Sequence, residues 1–201
     1  MPRQRGGVQS APLATADILD AALRVVERSS LDALTVRAVA DECGVTPPAI
    51  HYHLRGERDL ATLVVEAVAR EITVRLDPST SWQDQYIELV LAMDRTFLRY
   101  PGTGARALTA TGKSPAASKL TETALDILRG AGFGEQECVE IFAATYFLYV
   151  GWLSTRQMAQ SDAIHPSLAA AGISAPERVQ TEPLIASLEC IFTGHVPRQG
   201  S

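Results

Sequence analysis

The sequence has no excess of positive charge, no paired cysteines, no membrane-length apolar run and no strand periodicity, and each absence removes a class of protein. Lys and Arg number 18 against 23 Asp and Glu, a formal net charge of −5. Bulk basicity therefore offers no argument for nucleic acid. The first 60 residues hold 7 Arg and 8 acidic residues, so 7 − 8 = −1, and the remainder carries −5 + 1 = −4. Any claim on DNA has to rest on pattern. The three cysteines, Cys43, Cys138 and Cys190, are widely spaced and odd in number. They suggest neither a disulfide framework nor a metal cluster. Each lies in an apolar, helix-like context and reads as a small buried hydrophobe, which suits a cytoplasmic protein.

The first 14 residues lack the apolar centre of a signal peptide. The most apolar stretch, residues 141–153, is too short to cross a bilayer and reads as a buried helix, so no membrane partner is expected. Paired catalytic carboxylates, a nucleophile elbow and a Gly-rich phosphate loop are all missing. Neither an enzyme nor a cofactor is expected.

What the chain does have is helical periodicity from end to end, giving an all-α fold of about nine helices. Thr15 offers an N-cap, with Asp17 in the first turn and Ile18, Ala21, Ala22, Val25 and Val26 at helical spacing. Thr35 caps a short second helix that Gly44 stops. Thr46 caps a third, with Pro47 at its first position, where a missing N–H costs nothing. A fourth helix is expected from near Glu57 to about Leu76, a fifth from Trp82 to Tyr100, and shorter ones over 105–111 and 116–130. An aromatic-rich helix follows from Glu135 to about Ala159. A Pro/Gly/Ser loop then runs to 174, and a last helix opens near Pro176 and ends near Gly194.

The sharpest feature is residues 35–54, TVRAVADECGVTPPAIHYHL: two short capped helices joined at a glycine, the helix-turn-helix geometry. In such a unit the first helix braces on the backbone and the second offers its side chains to the major groove. Leu34-Thr35, Arg37, Ala40, Gly44-Val45-Thr46, Ile50-His51-Tyr52-His53-Leu54 and Arg58-Asp59-Leu60 together resemble the TetR (tetracycline-repressor-like) family. Further on, Ser81-Trp82-Gln83, Phe97-Leu98-Arg99-Tyr100-Pro101 and Gly130-Ala131-Gly132-Phe133 are similar, more loosely, to the tetracycline-repressor type of C-terminal domain.

The resemblance implies four segments: a flexible arm over 1–14, a three-helix DNA-binding domain over 15–60, a ligand-binding and dimerisation domain over 61–195, and a tail over 196–201. It also implies site residues. Thr35 and Thr46 are set to cap their helices, to meet phosphate, or both. Arg37 matches a position that reaches a base edge or phosphate. Pro47, Pro48 and Ala49 present a small apolar surface suited to thymine methyls. His51 stands where the family usually has Tyr, Tyr52 half-packs against phosphate, and His53 lies near the backbone. The family's phosphate-gripping Lys is replaced by Glu57, which leaves that role to Arg55 or Arg58. Two His separated by two residues face apart on a helix, so no metal site is expected there.

In the body the resemblance implies a mostly apolar cavity lined by Val68, Ile72, Tyr86, Leu89, Met93, Leu108, Leu125, Val139, Phe142 and Tyr146. Only Tyr86, Tyr146, Thr109 and Thr111 serve as polar handles. Ile72, Leu89 and Ala124 stand where magnesium-tetracycline would need polar groups, so an apolar or aromatic effector is expected. Ile141, Ala144, Thr145, Leu148 and Gly151, with Leu184, Ile185, Leu188, Ile191 and Phe192 on the last helix, form stripes expected to pair across a two-fold into a homodimer's four-helix bundle. The implied function is a repressor that leaves a palindromic double-stranded DNA operator when a small-molecule effector binds. A ligand scavenger, an interaction module without DNA binding, and an activator remain as alternatives.

Overall fold

The computed structural model describes residues 13–54, 60–109, 114–159, 166–172 and 180–195, and among these the secondary structure is helical with no strand. Arg55, Glu57, Arg58, Asp59, Thr111, Pro176 and the tail, all named above, lie outside the described residues.

Helix α1 spans Thr15–Arg28. Its N-cap is Ala14, one residue before the expected Thr15, because the Asp17 carboxylate accepts the Ala14 N–H at 2.8 Å. Ile18, Ala21, Ala22, Val25 and Val26 form its buried face. A short 3₁₀ turn at Leu31–Ala33 leads to α2, Val36–Cys43. The Thr35 hydroxyl accepts the Ala38 N–H at 3.0 Å and caps it. Gly44 ends it at φ +67°, the left-handed region that a Cβ disfavours. Helix α3, Pro47–His53, begins two residues after Val45, with Thr46 extended at its N-cap. The Thr46 hydroxyl makes no capping bond there, contrary to expectation.

Helices of seven and eight residues do not persist alone. Here Val39, Ala40 and Ile50 are wholly buried against α1 in one small core, and each such aliphatic side chain the size of Val or Ile contributes about 1.5–3 kcal/mol. Glu42 adds ion pairs from α2 to Arg24, at 2.7 Å, and to Arg28 of α1.

Helix α4 is Leu60–Glu71 among the described residues, and residues 72–76 run on without helix. The expected extension to Leu76 fails at Ile72-Thr73-Val74, a β-branched run that disfavours helix. An Asp77 turn, whose Oδ1 accepts both the N–H and the hydroxyl of Ser79 at 2.9 and 2.6 Å, reverses the chain. Ser81 caps α5, Trp82–Arg99. Next come α6, Thr103–Thr109; α7, Pro115–Gly130, capped by Ser114; and α8, Glu135–Ala159.

A short α9, Pro166–Ala170, occupies part of the expected loop. The last helix, α10, spans Glu182–Thr193 and so starts later than Pro176. Trp82 meets Phe133 and Phe192 edge to face at 5.1 and 4.9 Å and locks α10 and the α7–α8 connection to α5. Of the cysteines, Cys138 is buried, Cys43 half-buried and Cys190 exposed, so the expectation of burial fails for the last.

Candidate functional site

Two features of the surface and interior invite function. The first is the outer face of α3 with the start of α2. Ile50 anchors α3 inward, and the opposite side is left bare: Pro47, Pro48, His51 and Tyr52 are exposed, Ala49 and His53 half-buried. Tyr52 is 68% exposed, a large aromatic with its ring set edge-on to His53 at 5.6 Å. Thr35, Arg37 and Thr46 are exposed beside it. Of the nine residues read from sequence for this role and described in the structure, seven are exposed and two half-buried, at the two helix starts and along α3.

The second feature is a cavity of about 450 Å³ enclosed by five helices. Helix α4 contributes Thr62, Val65, Glu66 and Ala69. Tyr86, Leu89, Val90, Met93 and Phe97 come from α5, and Ala107 and Leu108 from α6. Ser114, Ala117, Leu120, Thr121 and Ala124 line it from α7 and its cap, and Phe142, Thr145, Tyr146 and Tyr149 from α8. Tyr86, Leu89, Met93, Leu108, Phe142 and Tyr146 therefore line the cavity as read from sequence.

Four other expected lining residues do not line it. Val68 is fully buried on the other side of α4. Ile72 lies past the end of that helix, and both it and Leu125 pack against the core. Val139 is 55% exposed on the outside of α8. The reason is phase: α4 turns residues 62, 65, 66 and 69 to the cavity, the i, i+3, i+4, i+7 face, and Val64 and Val68 to the core.

The expected polar handles are also largely occupied. The Tyr86 phenol sits 2.7 Å from the Thr145 hydroxyl. Thr145 itself donates to the backbone carbonyls of Ile141 and Phe142, which leaves Tyr86 as the donor between them. Burial, only partly offset by that hydrogen bond, pushes the Tyr86 phenol up to about 12. Tyr146 donates to the Leu108 carbonyl, and Thr109 to that of Ala105 at 2.7 Å.

The polar residue that sequence reasoning passed over is Glu66, 7% exposed. Its Oε2 accepts the Ser114 hydroxyl at 2.5 Å, joining α4 to the cap of α7. One signal was available: Glu66 is the sole acid on the i, i+3, i+4, i+7 stripe that it shares with Thr62, Val65 and Ala69.

The cavity wall reaches the reading surface by two routes. Helix α4 itself packs on α1. At the end of α5, two residues past Phe97, Arg99 pairs with Glu27 of α1 and lies 3.7 Å from Glu71. Tyr100 donates to the Glu71 carboxylate at 2.9 Å, and the Leu31 N–H to the Pro101 carbonyl at 2.8 Å.

The stripes expected to meet a partner copy are mostly consumed inside the protomer. Ile141, Thr145, Leu184, Leu188 and Phe192 are all at most 3% exposed, Ala144, Leu148, Ile185 and Ile191 are half-buried, and Gly151 is exposed. Instead, α8 turns outward an apolar side that shares only Gly151 with those stripes. Phe147 is 71% exposed, and Val139, Ala143 and Gly151 share its face. Within α8, Glu135–Thr155 is long and apolar enough to cross a membrane by length and composition, yet only 28% of its most apolar window is buried. The expectation of a buried helix thus holds for one side alone. That side, Cys138, Ile141, Thr145, Tyr149 and Leu153, is fixed in the protomer core.

Residues 18–64 match the family model described as bacterial regulatory proteins, tetR family. An HTH-type transcriptional regulator of Saccharopolyspora erythraea is 27% identical over 148 residues, 73% of this chain and 63% of that protein. The chain therefore matches just under two thirds of this relative's length. The class E tetracycline repressor protein of Escherichia coli is 27% identical over 143 residues, 70% of this chain and 67% of that one. Among solved structures, a TetR variant from Acinetobacter baumannii AYE in complex with minocycline superposes with a TM-score of 0.62. It is 25% identical and covers 89% of this chain and 98% of that chain.

Proposed function

We propose that this chain, whose residues 18–64 match the tetR family of bacterial regulatory proteins, is a homodimeric repressor whose α3 helices read a palindromic operator until a small, largely apolar effector enters the body. The observation that carries this reading is the double duty of α4. One face lines the 450 Å³ cavity, and the same helix packs on α1 of the reading head. Occupancy of the cavity and the set of the head therefore share one rigid element.

On the DNA side, Arg37 and Tyr52 supply the polar contacts, and Pro47, Pro48 and Ala49 the apolar ones. Arg55 and Arg58 take the phosphate role next to Glu57. The cavity suits an aromatic or aliphatic body, because aromatic and aliphatic side chains dominate its walls and no histidine lies among them. Leu89 and Ala124 replace the polar groups that a metal-chelated polyketide would need, so minocycline itself is not the proposed ligand. Effector binding displaces α4, spreads the two heads and lowers operator affinity by the typical coupling of about 1–3 kcal/mol.

A second copy covers the outward face of α8, Val139, Ala143, Phe147 and Gly151, together with Pro183, Ala186 and Cys190 of α10. An apolar helix fixed on one side in its own core and bare on the other is the pattern of an isologous bundle interface.

The test is in vitro selection from a random duplex pool. The chain should enrich an inverted repeat with half-site centres about 34–36 Å apart or somewhat more. Arg37→Ala should weaken the selected duplex by about 1–3 kcal/mol. Enrichment of no sequence, or of one without two-fold symmetry, overturns the reading.

A further inference from the structure

The carboxylate of Glu66 has one oxygen satisfied and one not. Oε2 is held by Ser114 at 2.5 Å. Oε1 is buried and receives no hydrogen bond among the described residues. Its nearest cation is the Arg70 guanidinium one turn along at 3.2 Å, on a side chain that is 66% exposed. The Glu66 side chain in that pair is only 9% exposed, so the carboxylate is buried while its cation stands in solvent. A buried acceptor left unbonded is uncommon and costs about 1–3 kcal/mol, more for a charged group.

The role of Glu66 in joining α4 to α7 needs only Oε2. Glu66 also lines the cavity and is the one acidic or basic side chain among its described lining residues. Around the same space stand the rings of Tyr86, Phe142, Tyr146 and Tyr149. Aromatic faces attract cations. A mostly apolar chamber with a buried carboxylate in its wall and several rings around it recognises a particular ligand shape: an apolar body bearing a single basic nitrogen.

We propose that the effector is a lipophilic amine, whose ammonium donates to Glu66 Oε1 while its apolar body fills the space between α5 and α8. This rests on reading the cavity as the effector chamber and adds the charge of the effector to it. Glu66 then acts as the specificity-determining residue. An anionic analogue of the same body meets a carboxylate and is rejected, and a neutral analogue binds through its body alone. Because Glu66 sits on α4, the same contact applies the ligand's pull to the helix that joins chamber to reading head.

The experiment uses three probes with one body: 1-naphthylmethylamine, 1-naphthylmethanol and 1-naphthoate. Each is titrated calorimetrically into the full chain at neutral pH. The amine should bind roughly tenfold tighter than the alcohol, the increment expected of a hydrogen bond to a charged group. The acid should bind more weakly than the alcohol. E66Q keeps an acceptor for Ser114 and should cut the amine's advantage to about twofold or less, while the alcohol changes less. Ala117→Phe, which fills the chamber, should weaken amine and alcohol alike.

Equal binding of amine and alcohol by the native chain overturns the role of Glu66 and leaves the chamber standing. An amine preference that survives in E66Q overturns it as well. Binding of amine and alcohol that Ala117→Phe leaves intact, or no binding of any probe, removes the chamber reading along with it. The comparison among probes on the native chain decides the matter even if a variant does not fold.

Discussion

Arg99 donates through Nε to the Glu27 carboxylate at 2.8 Å, tying the last turn of α5 to the last turn of α1. Phe97, two residues earlier, faces the cavity. A displacement of the cavity wall along α5 therefore has a direct handle on the reading head, parallel to the route through α4. Both side chains are solvent-exposed, so the pair adds little to stability. We expect Arg99→Ala to leave the melting temperature and ligand-free operator affinity nearly unchanged. The effector-induced loss of affinity should shrink severalfold. Fluorescence anisotropy on the operator, with and without effector, checks this. An unaltered ratio between the two would restrict coupling to α4.

Tyr86 gives a pH signature. Its buried phenol is pushed up to about 12, above the ~10 of an unfolded tyrosine. The neutral form is thus favoured by folding. Its contribution is fully present below about pH 10 and is lost as pH rises from about 10 to about 12. Tyr100, also raised to about 12, first by burial and then by its bond to Glu71, acts in the same window. Tyr86→Phe should cost about 1 kcal/mol at neutral pH through the lost bond to Thr145. It should also make the alkaline decline of chemical-denaturation stability shallower. A variant that declines as steeply as the native chain would contradict this.

Phe147 tests the proposed subunit contact. At 71% exposed it contributes little to the protomer core. Phe147→Asp should convert a dimer to a monomer in sedimentation velocity while the helical circular-dichroism signal is retained. A variant that sediments as the native dimer would show that the partner lies on another face.

The head was legible in the sequence because its determinants are local. Thr35 sets a helix end through its hydroxyl, Gly44 and Pro47 through their backbones, and α1 to α3 follow within a residue. The body was less legible where the determinants are tertiary. Residues 141–153 are apolar all round, so no periodicity tells which side faces home. Ile141 and Thr145 were read as partner-facing and turned inward, while Val139 was read as cavity-lining and turned outward. The stripe of Leu184, Leu188 and Phe192 is real, but its mate is Trp82 and the protomer's own core, not a second copy. Glu66 escaped notice because a lone acid on an apolar helix looks like an ordinary surface residue until the neighbouring helices close over it.

Gly104 sets the spacing of α6. A Cβ there would stand 2.8 Å from Cγ of Phe97 and 2.9 Å from Cδ1 of Leu153. Both are packed side chains with little room to retreat. Gly104→Ala should destabilise the fold by about 1–3 kcal/mol. Because Phe97 lines the cavity, it should also change effector affinity. Thermal melts with and without ligand separate the two effects, and an unchanged melting temperature would mean that α6 moves aside freely.

If the bare side of α8 pairs two copies as proposed, copy number becomes a variable in gene control. A surface that needs a second molecule to cover it obeys mass action, so dilution alone lowers the fraction of paired heads. A cell that makes very little of this protein would find its operators vacated before any effector arrives, and one that makes more would raise the effector dose needed for release.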